Sequence, residues 1–411
     1  MKKTKCAILA AIMSVCLFMT GCDNGSPSAP LSSANGSPSS AASVPVSAAS
    51  APGNTASADV PASENSAVST AGAAASAPAQ NTSGGFRVEG TKLLDANGSE
   101  FIMRGINHAH AWYRGELDTS LKAIAATGAN CVRVVLSNGN LWDKIPQDEV
   151  KDIIEECEQN KLVAVLEVHD ATAGASNNGK QATDDVSDLQ LCADYWIEMK
   201  DLLNEHTDTV IVNIANEWHN ASWTKPADWA EGYKLVIPKL RDAGIKNALM
   251  VDADGSGQLC SSLFGDPARD PKGYAADILA ADPDKNTMFS VHIYEAAGET
   301  ADMVKNNLDG CVSTGVCFVV GEFADTRSAR KDNVDDLAIT EYCVKNDIGY
   351  IAWSWKGNTP EKISSKETLP FSVMDISEEW DGSKLSEKWG ENIINGENGI
   401  RKNSRRCSIF A

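Results

Sequence analysis

Eight short runs of apolar residues recur along the chain, and a segment with the amphipathic spacing of a helix separates each run from the next. The runs have the length of buried β-strands, which are apolar on both faces when they belong to a parallel sheet. They lie at residues 101–106, 131–136, 162–168, 209–215, 248–251, 288–293, 317–320 and 350–355. This alternation predicts eight parallel strands that are connected by helices.

Eight strand–helix units in one continuous stretch predict an α/β fold of the (β/α)8 type, the TIM barrel. The alternative is an open doubly wound sheet, which needs a glycine-rich phosphate loop after its first strand. Residues 105–108, Gly-Ile-Asn-His, are not such a loop, so we favour the barrel. Residues 86–94, followed by a turn at Asn97–Gly98, predict a short β-hairpin ahead of the first strand. The barrel and its N-terminal hairpin are expected to occupy residues 85–411.

The chain begins with the pattern of an export signal. Three lysines among the first five residues precede an apolar run at 7–19, and small residues lead to Cys22. This run is too short to cross a bilayer comfortably, and the pattern predicts a signal at residues 1–21. A cysteine at this point resembles the lipobox of bacterial lipoproteins, which predicts lipidation of Cys22. The alternative is an ordinary signal peptide that is cut near Gly21.

Residues 22–84 consist mainly of serine, alanine, proline, glycine, asparagine and threonine. Such a segment buries too little apolar surface to offset its conformational entropy, so we expect a disordered tether. A coil of this length spans roughly 45 Å between its ends. The expected location is therefore extracytoplasmic, with the domain anchored by lipid to a bacterial membrane or cell surface, or otherwise secreted.

The charge of the chain restricts its partners. The chain has 56 acidic and 36 basic residues and a net charge of -20. Such a surface repels nucleic acid and anionic lipid, so we expect a neutral substrate, no nucleic acid as a partner, and membrane contact through the lipid only. A monomer is the default expectation for a tethered barrel.

Cysteine spacing predicts no metal site. Eight of the 11 cysteines lie beyond the export segment, without any Cys-x-x-Cys pair. Cys311 and Cys317 are the closest of them in sequence and bracket a turn. Their spacing permits a disulfide, which an exported protein can form, but does not establish one.

Polar and aromatic side chains stand at or near the ends of the predicted strands, where the sites of TIM barrels lie. Five of the 6 histidines, all but His206, follow this placement. The candidate site residues at these strand ends are His108, Arg133, His169, Asn216, Glu217, His292, Tyr294, Glu322, Trp353 and Trp355. Trp112 lies in a loop on the same side and is a further candidate for contact with a substrate.

Two glutamates at strand ends are the minimum equipment for cleaving a glycosidic bond with retention. Glu217 and Glu322 are the candidates: one carboxylic acid protonates the departing oxygen, and one carboxylate attacks the anomeric carbon. Arg133 and Tyr294 are suited to keeping Glu322 anionic.

The other candidates are suited to contacts with a sugar. Asn216 is suited to binding a 2-hydroxyl group, and His169 and His292 to binding substrate or orienting the carboxylates. Trp353 and Trp355, two residues apart, are expected to face one side, where at least one provides a stacking platform for a pyranose ring.

From about residue 85 onward the chain resembles glycoside hydrolase family 5, and within it the secreted bacterial β-mannanases. The motifs that carry the resemblance are residues 103–110 (MRGINHAH), 128–137 (GANCVRVVLS), 165–170 (VLEVHD), 212–218 (VNIANEW), 289–295 (FSVHIYE), 321–323 (GEF) and 352–355 (AWSW). The resemblance implies a retaining endo-hydrolase of β-1,4-mannosidic linkages in mannan, glucomannan and galactomannan, without a cofactor. It implies Glu217 as acid/base and Glu322 as nucleophile. The family's remaining active-site positions match Arg133, His169, Asn216, His292, Tyr294 and Trp353.

Two alternatives remain open at this point. The same carboxylates could cleave β-1,4-glucan, since the two sugars differ only in the direction of the 2-hydroxyl group. A surface lipoprotein that binds glycans without cleaving them is the other alternative, although both glutamates and Asn216 are present.

Overall fold

The structure, a computed structural model, describes residues 84–220, 225–325, 334–358 and 374–411. The predicted signal at 1–21, with Cys22, and the predicted tether up to residue 83 lie outside these residues. Within the described ranges, no helix combines the length and the apolar character needed to span a bilayer.

Eight parallel strands form a closed barrel, as the sequence predicts. Strands β1 (Arg87–Glu89) and β2 (Lys92–Leu94) precede it as an antiparallel hairpin. The barrel strands, in chain order, are β3 (Arg104–His108), β4 (Cys131–Leu136), β5 (Val163–Val168), β8 (Val210–Asn213), β9 (Leu249–Asp252), β10 (Thr287–Ile293), β11 (Phe318–Phe323) and β12 (Gly349–Ala352). Strands β6 (Ser176–Asn177) and β7 (Lys180–Gln181) form a small hairpin in the loop after β5.

Helices follow the strands in the order that the amphipathic segments predict. They are α1 (Leu117–Ala126), α2 (Gln147–Gln159), α3 (Val186–Glu198), α4 (Lys200–Glu205), α5 (Pro226–Asp242), α6 (Ser261–Phe264), α7 (Ala275–Ala281), α8 (Glu295–Gly298), α9 (Ala301–Ser313), α10 (Asp336–Lys345), α11 (Trp389–Asn395) and α12 (Ile400–Asn403). Three of them begin at a side-chain cap: Asp185, Thr300 and Asp335 each accept a backbone N–H of the first turn. Such caps satisfy amide groups that have no partner within the helix.

The strands divide the apolar residues between two cores, because successive side chains of a strand point to opposite faces. In β5, for example, Ala164, Leu166 and Val168 pack against the helices. Val163 and Val165 belong to a second core inside the barrel, to which Phe86 and Leu93 of the hairpin region also contribute. The hairpin thus covers the N-terminal end of the barrel.

The inward-facing row changes from apolar to polar toward the C-terminal end in several strands. In β4, Cys131 belongs to the inner core and Arg133, two residues further on, to the polar layer. In β9, Met250 and Asp252 repeat this order. A layer of buried polar groups therefore lies on top of the apolar interior, at the end of the barrel where catalytic residues are expected.

The first and last predicted strands differ from the observed ones. Residue Phe101 donates its backbone N–H to Leu93, so the beginning of the run at 101–106 belongs to the hairpin region, and β3 extends to His108 instead. At the other end, β12 stops at Ala352, before both tryptophans. The alternation of a strand therefore does not govern the directions of Trp353 and Trp355.

The disulfide that the sequence permits between Cys311 and Cys317 is not formed. All eight cysteines of the described residues are buried free thiols. Cys311, on α9, packs in the core between helices and strands, whereas Cys317 belongs to the inner core of the barrel. Because the wall of strands separates these two cores, proximity in the sequence does not bring the sulfurs together.

Candidate active site

Arg133 is at the centre of the polar layer and is completely buried. Its Nη1 donates to Glu322 Oε1 at 2.7 Å and its Nη2 to Asn216 Oδ1 at 2.8 Å. The remaining contacts of its guanidinium are with Asn213, Asn107 and Asp252, at 2.9, 3.1 and 3.3 Å. Burial opposes the positive charge, but the carboxylates around it, Glu167 foremost, raise the pKa of Arg133 above its ordinary value. The guanidinium therefore stays charged and joins residues on or directly after four other strands, β3, β8, β9 and β11.

Glu322, on β11, has a donor on each carboxylate oxygen. Oε1 accepts from Arg133, and Oε2 accepts from the Tyr294 hydroxyl group at 3.0 Å. Burial raises the pKa of Tyr294 well above its ordinary value, and the neighbouring carboxylates add to this effect, so the phenol keeps its proton. Glu322 thus has a charge-assisted hydrogen bond on one oxygen and a neutral one on the other.

A shift of register between β10 and β11 sets the height of this carboxylate. Val291 pairs with Val320, but the next residue, His292, pairs with Glu322, so β11 has one extra residue between the two pairs. A bulge of this kind changes the direction of a side chain without ending the strand. It brings the side chain of Glu322 to the level of His292 and Tyr294.

Glu217 follows β8 in a left-handed backbone conformation, with φ of 45°. Its backbone is held from both sides: its N–H donates to Asp252 Oδ2 at 3.1 Å, and its carbonyl accepts from Ala173 N at 3.1 Å. Its Oε1 lies 2.8 Å from His292 Nδ1. Burial lowers the pKa of His292 to about 3, against the opposing effect of Glu322, so this imidazole is neutral at neutral pH.

The two glutamates face each other across a short distance. One carboxylate oxygen of Glu217, one of Glu322 and one ring nitrogen of His292 all lie within 4.8 Å of one another. Among the described residues, these three form the group whose atoms are close enough to hold a metal ion. Arg133 and Tyr294 contact the carboxylate oxygens of Glu322, and His292 contacts that of Glu217. That the site works without a metal stays a prediction. In retaining glycoside hydrolases the carboxyl groups are about 5–5.5 Å apart, against about 6.5–9.5 Å in inverting ones.

Aromatic rings extend the site on one side. The ring of Trp353 stacks on His169 at 5.9 Å with 26° between the planes, and its indole N–H donates to Asn358. Trp112 meets the same imidazole edge-on at 5.1 Å. Nδ1 of His169 lies 2.9 Å from Glu167 Oε1, and its Nε2 lies 3.5 Å from Asn216 Nδ2. These contacts connect Trp353 and Trp112 to the residues around Arg133.

Two predicted site residues lie in other surroundings. Trp355 is fully buried, donates to the Trp380 carbonyl, and lies against Gly382, which is also close to Ala123 of α1. This places it among packed residues of the outer core and away from the rings around His169. His108 is buried too; its ring lies 5.9 Å from that of His110 and 6.3 Å from that of Trp380, and neither ring nitrogen has a hydrogen-bond partner.

The sequence reasoning missed two residues that the structure brings to this site. Asp252 is a buried carboxylate that contacts Arg133 and the backbone of Glu217. It follows the predicted strand at 248–251 directly, so the strand-end signal that found Glu217 applies to it as well. Trp142 packs against Trp112 at 5.3 Å and lies 5.8 Å from His169. It comes from an irregular loop after β4, and no periodic pattern marks it.

A closed parallel barrel with two buried carboxylates at the carboxyl ends of its strands is an arrangement typical of glycoside hydrolases. The family model described as cellulase, glycosyl hydrolase family 5, matches residues 94–359. The chain therefore belongs to glycosyl hydrolase family 5.

Individual relatives agree with this family. A mannan endo-1,4-β-mannosidase of Salipaludibacillus agaradhaerens is 45% identical over 326 residues, which are 79% of this chain and 96% of that protein. A solved β-mannanase from Thermomonospora fusca has 35% identity and a TM-score of 0.70, over 80% of this chain and 99% of that one. A mannotriose complex of the T. fusca β-mannanase matches at 35% identity with a TM-score of 0.68, with the same shares covered.

We predict that His108 makes the protein sensitive to acid. Burial, with a contribution from His110, lowers the pKa of His108 to about 3, below the value of about 6.5 in an unfolded chain. The unfolded state therefore binds a proton that the folded state does not, and stability is lost as the pH falls from about 6.5 toward 3. The substitution His108→Leu should reduce the loss of unfolding free energy between pH 7 and pH 5 by about 2 kcal/mol.

Urea denaturation at a series of pH values measures this difference. Between pH 7 and pH 9 the imidazole is neutral in both states, so the curves of the variant and the wild type should run parallel there. Equal losses of stability between pH 7 and pH 5 in both proteins would contradict the prediction.

Proposed function

We propose that the protein is a retaining endo-β-1,4-mannanase that cleaves mannan, glucomannan and galactomannan, with Glu322 as nucleophile and Glu217 as acid/base. The observation that carries this proposal is the close pair of carboxylates with different partners. Glu322 contacts a guanidinium and a phenol, whereas Glu217 contacts a neutral imidazole. This difference is what an ionised nucleophile and a protonated acid require.

The first step forms a bond between a Glu322 oxygen and the anomeric carbon while the glycosidic bond breaks. Glu217 gives its proton to the departing oxygen, and the sugar remains attached to Glu322 as an ester. Tyr294 and Arg133 hold the attacking carboxylate in place. In the second step the Glu217 carboxylate takes a proton from water, whose oxygen attacks the anomeric carbon and releases Glu322.

The substrate class is supported by the relatives, which are named mannan endo-1,4-β-mannosidases or β-mannanases and include a structure with mannotriose. The rings of Trp353 and Trp112, which pack against His169, suit the apolar faces of pyranose units. We also propose that the protein acts as a monomer, as expected by default for a tethered barrel that degrades a polymer. Light scattering on the active protein tests this.

The decisive experiment measures release of reducing sugar from linear mannan, konjac glucomannan and carboxymethyl cellulose side by side. We expect cleavage of the first two and not of the cellulose derivative, with a Glu322→Ala variant as the blank. Cleavage of carboxymethyl cellulose alone would replace mannan by β-1,4-glucan as the substrate. A folded protein that cleaves none of the three would support the alternative of a glycan-binding protein.

Two variants test the roles of the carboxylates separately. Glu322→Ala should lower kcat on mannan by more than about 10⁴-fold, and azide should partly restore it with an inverted glycosyl azide as product. Glu217→Gln should lower kcat/KM on mannan by about 10²–10⁴-fold but spare kcat/KM on aryl mannosides whose leaving group needs no proton, because this parameter does not include the base-catalysed second step.

Glu299→Gln, an exposed carboxylate after β10, serves as the matched control and should keep full activity. Azide rescue of Glu217→Gln with inversion, and not of Glu322→Ala, would exchange the two roles.

We also propose that lipid on Cys22 anchors the protein to a bacterial membrane and that residues 23–84 tether the domain. The basic start, the short apolar run and the small residues before this cysteine support the proposal. Cys22→Ser should move the protein from the membrane fraction to the soluble fraction after cell lysis and ultracentrifugation. Cys16→Ser, inside the apolar run, is the control and should leave the distribution unchanged. A membrane fraction that does not change in Cys22→Ser would refute the anchor.

A further inference from the structure

Asp252 is a buried carboxylate for which the proposed reaction has no role. It is completely inaccessible to solvent, at the C-terminal end of β9. Its Oδ1 accepts from Asn213 Nδ2 at 3.0 Å, and its Oδ2 accepts from the Glu217 backbone N–H and from Arg133. Each of these groups donates to it. Asp252 therefore acts as an acceptor in all three hydrogen bonds.

His292 lies between Asp252 and the proposed acid. Its Nδ1 is 2.8 Å from Glu217 Oε1, and its Nε2 is 3.5 Å from Asp252 Oδ2. Nε2 is buried and has no closer hydrogen-bond partner among the described residues. Because the imidazole is neutral, it has one N–H and one lone pair. The position of that single proton decides whether Nδ1 offers Glu217 a hydrogen-bond donor or an acceptor.

The two tautomers have opposite effects on Glu217. A proton on Nδ1 would point at Glu217 and stabilise its carboxylate, but the lone pair of Nε2 would then face Asp252 in a medium of low dielectric constant. A proton on Nε2 points toward Asp252 and leaves the lone pair of Nδ1 for an O–H donor. That donor is the carboxylic acid form of Glu217, the form that can protonate a leaving group.

We propose that Asp252 is a positioning residue that keeps the proton of His292 on Nε2, so that Nδ1 accepts a hydrogen bond from protonated Glu217. This inference rests on the proposed role of Glu217 as the acid. It extends that role by naming the group that holds the acid in its protonated form before the substrate is cleaved.

The other charged groups around His292 agree with this arrangement. From the neighbouring elements, the titratable or charged groups at the site are Arg133, Glu167, His169, Glu217, Asp252, Tyr294 and Glu322. Glu322 Oε2 is 3.8 Å from Nδ1 and would attract a proton there, but it already accepts from Tyr294. Ionising Glu217 as well would gather four carboxylates around one guanidinium. The charge balance therefore favours protonated Glu217, whose nearest acceptor is Nδ1.

Nitrogen-15 NMR of the full-length protein with labelled histidine tests the tautomer directly, and a His292→Asn variant assigns the signal. We expect the proton on Nε2 in the wild type. Asp252→Ala removes the acceptor, so the signal should change to the Nδ1–H form or to a mixture. Asp252→Asn keeps an acceptor oxygen and should keep the Nε2–H form. A wild-type proton on Nδ1, or an unchanged Nε2–H form in Asp252→Ala, would overturn the proposal.

Kinetics provide a second readout that a structural role would not change. The alkaline limb of kcat/KM on mannan reports loss of the proton from the acid. In Asp252→Asn this limb should move about one pH unit lower, because a nearby negative charge is lost, and it should move further in Asp252→Ala. At neutral pH the loss on mannan should exceed the loss on 2,4-dinitrophenyl β-mannobioside by about 10-fold or more, because that leaving group needs no proton.

Asp254→Asn is the matched control, since Asp254 is equally buried but pairs with His219 at 2.7 Å. Its alkaline limb should stay at the wild-type position. An unmoved limb in Asp252→Asn, with equal losses on both substrates, would make Asp252 a structural residue and overturn the proposal even if Asp252→Ala does not fold. A wild type that cleaves no polysaccharide would refute the proposed function, whereas the NMR result would still decide the tautomer.

Discussion

The site depends on a single buried cation, the guanidinium of Arg133. A buried charge is tolerated only when it is paired and fully hydrogen-bonded, and this one has acceptors on β3, β9 and β11 as well as at the end of β8. Without it, Glu322, Asp252 and Glu167 would be buried close together with no compensating charge. Removing one partner of such a cluster typically destabilises a protein by about 3–5 kcal/mol. The guanidinium of Arg133 therefore both positions the carboxylates and stabilises the C-terminal end of the barrel.

The closed barrel makes such a cluster possible. Inward-facing side chains recur every second residue, so strands β3, β4, β5, β8, β9 and β11 can each contribute a polar group to the upper layer. Below that layer lie apolar residues such as Val165 and Met250, which keep water out from beneath. The polar groups of this layer come from neighbouring strands and are buried together. They must therefore form hydrogen bonds with one another. The positions of Asn107, Asn213 and Asn216 around the guanidinium follow from this requirement.

The sequence predicts the barrel well because its signal is local: apolar runs alternate with amphipathic segments, and each of the eight runs overlaps a barrel strand. The residues at the strand ends are predictable for the same reason, and Arg133, Glu217 and Glu322 meet as expected. Features that depend on contacts between distant parts of the chain are not predicted. Trp353 and Trp355 are two residues apart, but the strand ends before them, and only Trp353 meets His169. Packing between distant segments decides which core contains Cys311 or Cys317. It also decides that the loop after β4 brings Trp142 to the site.

An asymmetry between two similar side chains is the chemical outcome of this packing. Glu217 and Glu322 have oxygens within 4.8 Å of each other, and their mutual repulsion opposes ionisation of both. The guanidinium lies at Glu322, so the negative charge is better stabilised there. Glu217 meets an imidazole that burial keeps neutral. One cation placed on one side of a carboxylate pair thus gives its two members different electrostatic surroundings.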